Sequence, residues 1–239
     1  MTQENVLMQM KALLSQMEAI DLSHPLNDTM PVWPTHAKFR LNNLESYHHG
    51  GISCHYEMTV SDHGGTHVDA PLHFIPSGQA HYGIEQVPLA TFSGRAATLR
   101  ADHLQNGELW TAGHIHAWEK QHGSIEADDI VLIYFGRDVL WERPDLFLAG
   151  WPGISQDAAE YLAAKKVKMV GCDTLSLDAS DSDSFPAHYT LLGNEVLIME
   201  NLNQLGRLPA FSYFFGFPLK IEGGSASPIR AVAYVPKGD

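Results

Sequence analysis

Apolar residues in this chain fall into short runs rather than long periodic stretches. Val6, Met10, Leu13 and Met17 recur at spacings of four, three and four, which predicts one amphipathic helix over residues 6–19. Pro25, Pro31 and Pro34 then exclude a long helix from the next twenty residues. Tyr56, Met58 and Val60 alternate with Glu57 and Thr59, the period of a half-buried strand over 55–61, and 38–44 reads as another strand. Further strands are predicted at 96–99, 130–135, 167–170, 196–199 and 231–235; the run 130–135 is continuously apolar and belongs in the middle of a sheet. Residues 155–166 read as a helix, with Ser155 at its N-cap, Asp157 in its first turn and Lys165 and Lys166 at its end. The expected fold is α/β: a single domain with a swivelling β/β/α, barrel-like mixed β core and few flanking helices. Residues 20–239 form that domain, and residues 1–19 are an N-terminal helical extension packed on the body or on a neighbouring subunit.

Composition narrows the function. The chain has 239 residues, enough for a substantial core, and 44% are hydrophobic, which excludes disorder as the main state. Fifteen Lys+Arg against 28 Asp+Glu give a net charge of −13 with no basic stripe, so neither nucleic acid nor an anionic membrane is an expected partner. No apolar stretch of about 18 residues predicts a membrane span. The first residues lack the basic flank of a signal peptide, so a cytoplasmic protein is expected. Cys54 and Cys172 are too few for a disulfide framework and are expected as two buried thiols. The unusual count is histidine, with 14 residues.

Those histidines concentrate where chemistry can use them. Residues 61–74 hold His63, His67 and His73 together with Asp62 and Asp69. His67 and Asp69, two apart, project to one face of an extended backbone. The glycine pair Gly64-Gly65 lets the chain turn sharply enough for His63 to fold back to the same point. Two imidazoles and a carboxylate suit Zn²⁺, Mn²⁺ or Fe²⁺. His73 is either a further ligand or a proton acceptor beside the metal. A second candidate segment carries His188 and, twelve residues on, Glu200 at the end of an apolar run. His188 completes a first coordination shell or binds a second ion, and a carboxylate ending a buried strand needs a partner. The acidic run Asp178, Asp181, Asp183 is expected as a solvated loop. His114, His116 and His122 are expected on a surface helix, and His48 and His49 on a loop near the site. There is no P-loop, no dinucleotide fingerprint and no G-x-S-x-G elbow.

The segment His63-Gly64-Gly65-Thr66-His67-Val68-Asp69-Ala70-Pro71-Leu72-His73 resembles the H-x-G-T-H-x-D-x-P-x-H signature of the cyclase family of metal-dependent hydrolases, which includes kynurenine formamidases and isatin hydrolases. The resemblance extends in order through Asp21-Leu22-Ser23-His24-Pro25, Met30-Pro31-Val32-Trp33-Pro34, Pro152-Gly153-Ile154-Ser155, Gly171-Cys172-Asp173-Thr174 with Ser176 and Asp178, Phe185-Pro186-Ala187-His188, Glu200-Asn201 and Ser227-Pro228-Ile229-Arg230. It implies that His63, His67 and Asp69 are metal ligands, that His188 and Glu200 complete a second metal position bridged by Asp69 or Glu200, and that His73 is the catalytic base. It also implies a homodimer or homotetramer. Two departures lie where substrate is expected: Thr35-His36 replaces a Gly-Asp pair, and Gly136-Arg137-Asp138 replaces a Gly-Trp pair.

The implied activity is a metal-dependent amidohydrolase, with one or two Zn or Mn ions, acting on a small aromatic amide of the N-formylkynurenine kind. Trp33 and Phe39 are the candidates for stacking on the substrate. The alternatives are an isatin-type cyclic amide hydrolase or a lactone hydrolase with the same centre. A cupin-like iron protein would need an H-x-H motif, which fits poorly. A silent metal-binding interaction protein would have no use for His73.

Overall fold

The computed structural model describes residues 3–238. In chain order its elements are α1 (Gln3–Ser15), β1 (Met17–Asp21), β2 (Arg40–Glu45), β3 (His55–Thr59), β4 (His67–Asp69), β5 (Ser93–Arg100), β6 (Leu109–Trp110), α2 (Ala112–His122) and β7 (Ile130–Tyr134). There follow α3 (Pro144–Phe147), β8 (Gly153–Ile154), α4 (Gln156–Lys165), β9 (Met169–Cys172), α5 (Pro186–Gly193), β10 (Leu197–Glu200), β11 (Phe211–Phe215), β12 (Ala226–Pro228) and β13 (Val232–Pro236).

Nine strands form one mixed sheet in the order β1-β13-β11-β5-β7-β9-β10-β4-β12. Its centre, β5-β7-β9-β10, is parallel, and the flanking pairs are antiparallel. The apolar run predicted to be central is β7. Val131 and Ile133 point into a core shared with residues of α2, α4 and α5, while Ile130 and Leu132 point into a second core on the other face. That second core contains Ile20 of β1 and Val68 of β4, which lie near opposite ends of the strand order. One cluster can hold both only if the sheet curls on itself, which gives the barrel-like form expected from the sequence. Few helices flank it. No described helix is long and apolar enough to cross a membrane.

Three expectations are corrected. The N-terminal helix ends at Ser15, and Met17, Glu18 and Ala19 instead pair with Pro236, Val235 and Tyr234 of β13, so the boundary placed between 19 and 20 falls inside a strand. Val6, Leu7, Met8, Met10 and Leu13 of α1 are all exposed, so the chain's own body does not cover that helix face. The strands near 38–44 and 55–61 are present as the β2–β3 hairpin, but its residues are exposed on both faces, whereas the alternation had implied one buried face. Cys54 lies exposed just before β3, and only Cys172 is buried.

A third cluster, built from Met30, Phe39, Trp141, Phe147, Trp151 and Leu175, braces the segment that follows β1. There His24 stacks on Trp141 with ring centres 4.0 Å apart. Its backbone N–H donates to the Thr66 hydroxyl, which donates in turn to the Asn201 carbonyl, so the opening segment is tied to the two strand ends that matter below.

Two predictions follow from packing and burial. A Cβ on Gly153 would stand 2.2 Å from the Ala179 nitrogen and 2.7 Å from the Leu177 oxygen, both rigid backbone. Gly153→Ala is expected to lower unfolding stability by about 3 kcal/mol, the upper end for overpacking, as read from urea denaturation. Burial pushes the His24 pKa from 6.5 to about 4 against an opposing bond to the Leu202 backbone. The unfolded chain therefore binds a proton that the folded one refuses; the contribution is whole above about 6.5 and is lost as pH falls towards about 4. Stability measured from pH 7 to 4.5 should drop by about 2 kcal/mol from this group alone. His24→Phe, which keeps the stack and takes no proton, should flatten that part of the profile.

Candidate metal centre

The centre is built on the three residues of β4. Its alternation sends Val68 into the apolar core and turns His67 and Asp69 together to the opposite face. Register then adds the next ligand: β10 runs antiparallel to β4 with Glu200 directly opposite His67, and the Glu200 Oε2 lies 3.5 Å from the His67 Nε2. Gly65, at φ +68, makes the turn that the glycine pair predicted. His63 accordingly returns, with its Nδ1 2.8 Å from Asp69 Oδ1. From the other side α5 delivers His188, whose Nε2 lies 3.3 Å from Glu200 Oε1 and 3.7 Å from Asp69 Oδ2.

Each of the three histidines has its remaining ring nitrogen fixed. The His67 Nδ1 donates to the Gly65 carbonyl at 2.8 Å; a carbonyl only accepts, so in the neutral ring Nε2 carries the lone pair. The His188 Nδ1 donates to Asp178 Oδ2 at 2.6 Å. The His63 Nε2 meets the Ser225 hydroxyl at 2.9 Å, and that hydroxyl donates onward to Asp62 at 2.8 Å. Fixing the outer nitrogen of an imidazole is the recurring way a protein aims the inner one at a metal.

The charge balance calls for a cation. Asp69 is fully buried, and although the His63 Nδ1 and His67 Nε2 crowd its Oδ1, no well-aligned hydrogen bond reaches either carboxylate oxygen or the His67 Nε2. Burial would raise the Asp69 pKa, but the imidazoles of His63, His73 and His67 outweigh it and hold the group well below the usual carboxylate range. Glu200 is lowered in the same way by His188 and His67 against its own burial. Conversely, burial opposes but the two carboxylates win at His67, which is pushed up to about 10, and Asp178, Asp69 and Glu200 raise His188. Without an ion, protons on the imidazoles neutralise the acids. Unpaired oxygens beside aimed nitrogens are also the donor set that a divalent ion requires, so the residues fit one. His63, Asp69 and His73 bring ligand atoms within 4.8 Å of one another, and so do His67, Asp69 and Glu200, with Asp69 common to both groups.

These groups form the floor of a cavity of about 220 Å³. Trp33, Phe74, Leu175 and Phe185 supply apolar walls, and His36 and Ser176 are the other lining residues. His73 reaches in from the turn after β4, its ring 4.0 Å from that of His63, and burial pushes its pKa down to about 4. His63, His67, Asp69, His73, His188 and Glu200, all named from the sequence, are thus gathered at one point.

A family model described as "Putative cyclase" matches residues 20–179. The chain belongs to the cyclase family. It is similar to the kynurenine formamidase of Salinibacter ruber, with 32% identity over 231 residues that cover 90% of this chain and 97% of the relative. It is also similar to the isatin hydrolase of Roseibium aggregatum, at 29% identity over 250 residues and 95% of each chain. Among solved structures, an isatin hydrolase bound to the product analogue thioisatinate matches at a TM-score of 0.92, with 28% identity, over 99% of this chain and 100% of the other. This cyclase is a hydrolase, and the curled mixed sheet with few helices is the architecture it shares with those relatives.

Against the sequence expectations, Trp33 lines the cavity of the cyclase but Phe39 does not. Phe39 is buried against Trp141 and Phe147, where an aromatic ring is worth more as core than as a wall. The Gly136-Arg137-Asp138 departure lies outside the lining too. The Arg137 guanidinium donates to Asn106 and to the Gly150 carbonyl, and its backbone N–H donates to Asp173, whose carboxyl burial pushes up to about 7. His48 and His49 are exposed on a turn away from the lining, and His114, His116 and His122 lie on α2 as expected.

Asp178 is the largest miss. It is not part of a solvated loop; it is 1% exposed, and it accepts from the Ala187 and His188 backbone N–H groups as well as from the His188 ring. A signal was available: Pro186 marks a helix start, whose first N–H groups need an acceptor. Ser225 and Asp62, which hold His63, are joined only by tertiary folding over 163 positions, and no local pattern shows that. Because Asp178 both caps α5 and aims His188, Asp178→Asn is expected to weaken metal retention about 10- to 100-fold in competition with a chelator while leaving the fold intact by circular dichroism.

Proposed function

We propose that this cyclase hydrolyses the C–N bond of a small flat aryl amide at a centre of one or two divalent ions, Zn²⁺ or Mn²⁺. The observation that carries the reading is the convergence of two buried carboxylates and three aimed imidazoles on the floor of an aromatic-walled cavity, with His73 beside them and its ring nitrogens unclaimed by any hydrogen bond among the described residues. His63, His67 and Asp69 would hold one ion, and His188 and Glu200 would complete a second position that shares Asp69 or Glu200 with the first. An aryl formamide of the N-formylkynurenine kind is supported by the 32% identical relative, and a ring amide of the isatin kind by the TM-score of 0.92. The exposed α1 face and β2–β3 hairpin support assembly as a homodimer or homotetramer.

A divalent ion in such a site lowers the pKa of water from about 15.7 towards 7 and polarises a carbonyl. The chain's own residues do the rest. Burial keeps His73 neutral at pH 7, with a lone pair available as a proton acceptor requires. It takes one proton from the water whose oxygen bonds to the amide carbon. As the C–N bond breaks, it returns that proton to the departing nitrogen, so that acid and amine leave together. Trp33, Phe74 and Phe185 hold the aromatic ring and exclude bulk water.

His73→Ala should keep its metal content by elemental analysis and lose about 10²- to 10⁴-fold in kcat on N-formylkynurenine or isatin, with lactones as the third arm of the screen. Chelation should abolish wild-type turnover. An unchanged rate in His73→Ala would point to a protein that binds metal without catalysis.

A further inference from the structure

Once the metal centre has taken His63, His67, His73, His188 and Glu200, six residues of the cavity lining remain: Trp33, His36, Phe74, Leu175, Ser176 and Phe185. None is Lys, Arg, Asp or Glu. In a chain with 28 acidic and 15 basic residues, the substrate's own part of the cavity has no fixed charge. His36 stands out among the six. A turn fixes it, its backbone N–H donating to the Trp33 carbonyl at 2.9 Å. Its ring faces that of His63 with centres 5.7 Å apart. Among the described residues neither ring nitrogen has a hydrogen-bond partner, and Nδ1 is buried in that condition. A buried polar atom left unpaired is costly, and a ring that lines the cavity with neither nitrogen engaged can turn one of them to a ligand.

We propose that His36 is the specificity-determining contact of this site: its imidazole hydrogen-bonds a polar atom of the bound amide, and the cavity accepts uncharged flat amides in preference to amides carrying an amino-acid zwitterion. A zwitterion would have to shed water from an ammonium and a carboxylate and would meet no opposite charge outside the metal centre. A neutral ring amide needs only apolar walls and one or two hydrogen bonds, and Trp33, Phe74, Phe185, His36 and Ser176 offer those. The inference builds on the amide-hydrolase reading, and it is tested by binding so that the two can fail separately.

Zinc-loaded wild type, His36→Ala and His36→Gln are titrated calorimetrically with oxindole, an uncharged ring amide, and with kynurenine, a zwitterion. Wild type should bind oxindole at least about tenfold more tightly than kynurenine. His36→Ala should weaken oxindole about tenfold, the worth of one hydrogen bond, and His36→Gln, which keeps a donor and an acceptor, should recover most of it. Zinc content should be equal in all three. With isatin as substrate, His36→Ala should raise KM more than it lowers kcat. Equal oxindole affinity in wild type and His36→Ala, kynurenine binding as tightly as oxindole, or zinc loss in His36→Ala would each overturn the proposal. Oxindole binding that depends on His36 in a protein that hydrolyses no amide would instead sink the amide-hydrolase reading and leave this one standing.

Discussion

The structure depends on a confrontation between two carboxylates. Asp69 and Glu200 sit on adjacent strands, both buried, around the His67 ring. Such a pair cannot stay ionised in a low-dielectric interior without positive charge between them. Three imidazoles surround it, and their outer nitrogens are tied to Gly65, Asp178 and Ser225 so that the inner ones cannot turn away. Protons serve as the counter-charge when no ion is bound. Loading an ion must therefore expel protons, and affinity must fall in acid.

The fold exists to hold that geometry against the cost of burying it. β7 and β9, in the middle of the sheet, are apolar and buried on both faces and supply much of the core. The polar ligands come from one side of the sheet, where Glu200 ends β10, where β4 lies between β10 and β12, and where turns and the start of α5 can reach. Anchors are shared between layers. Thr66 takes the His24 N–H and passes its own proton to the Asn201 carbonyl, while the Asn201 side chain donates to the same Gly65 carbonyl that holds His67. Three hydrogen bonds thereby join the opening segment to the ligand loop.

What was legible in the sequence was local. The H-x(3)-H-x-D spacing worked because a strand sends alternate residues to one face and because glycine permits the turn at Gly65. The strand 130–135 was legible because only a strand covered on both faces is apolar throughout. His188 and Glu200 were visible as unusual residues but could be placed at the centre only through resemblance. Asp178 falls among the residues of the resemblance, yet its role was masked because an acid beside other acids looks solvated; its two neighbours in the run, Asp181 and Asp183, are indeed exposed. Phe39 misled because aromatic character does not distinguish a wall from a core. The β2–β3 hairpin misled in the other direction: its alternation is real, yet within one chain no body lies against either face.

The β4 strand is three residues long and is paired on both sides. Sliding it by a single position would carry Val68 into the ligand cluster and drive an imidazole and a carboxylate into hydrocarbon. Burial of Val68 thus fixes the register that presents His67 and Asp69: the hydrophobic side of one short segment acts as the proofreader for the chemistry on its other side.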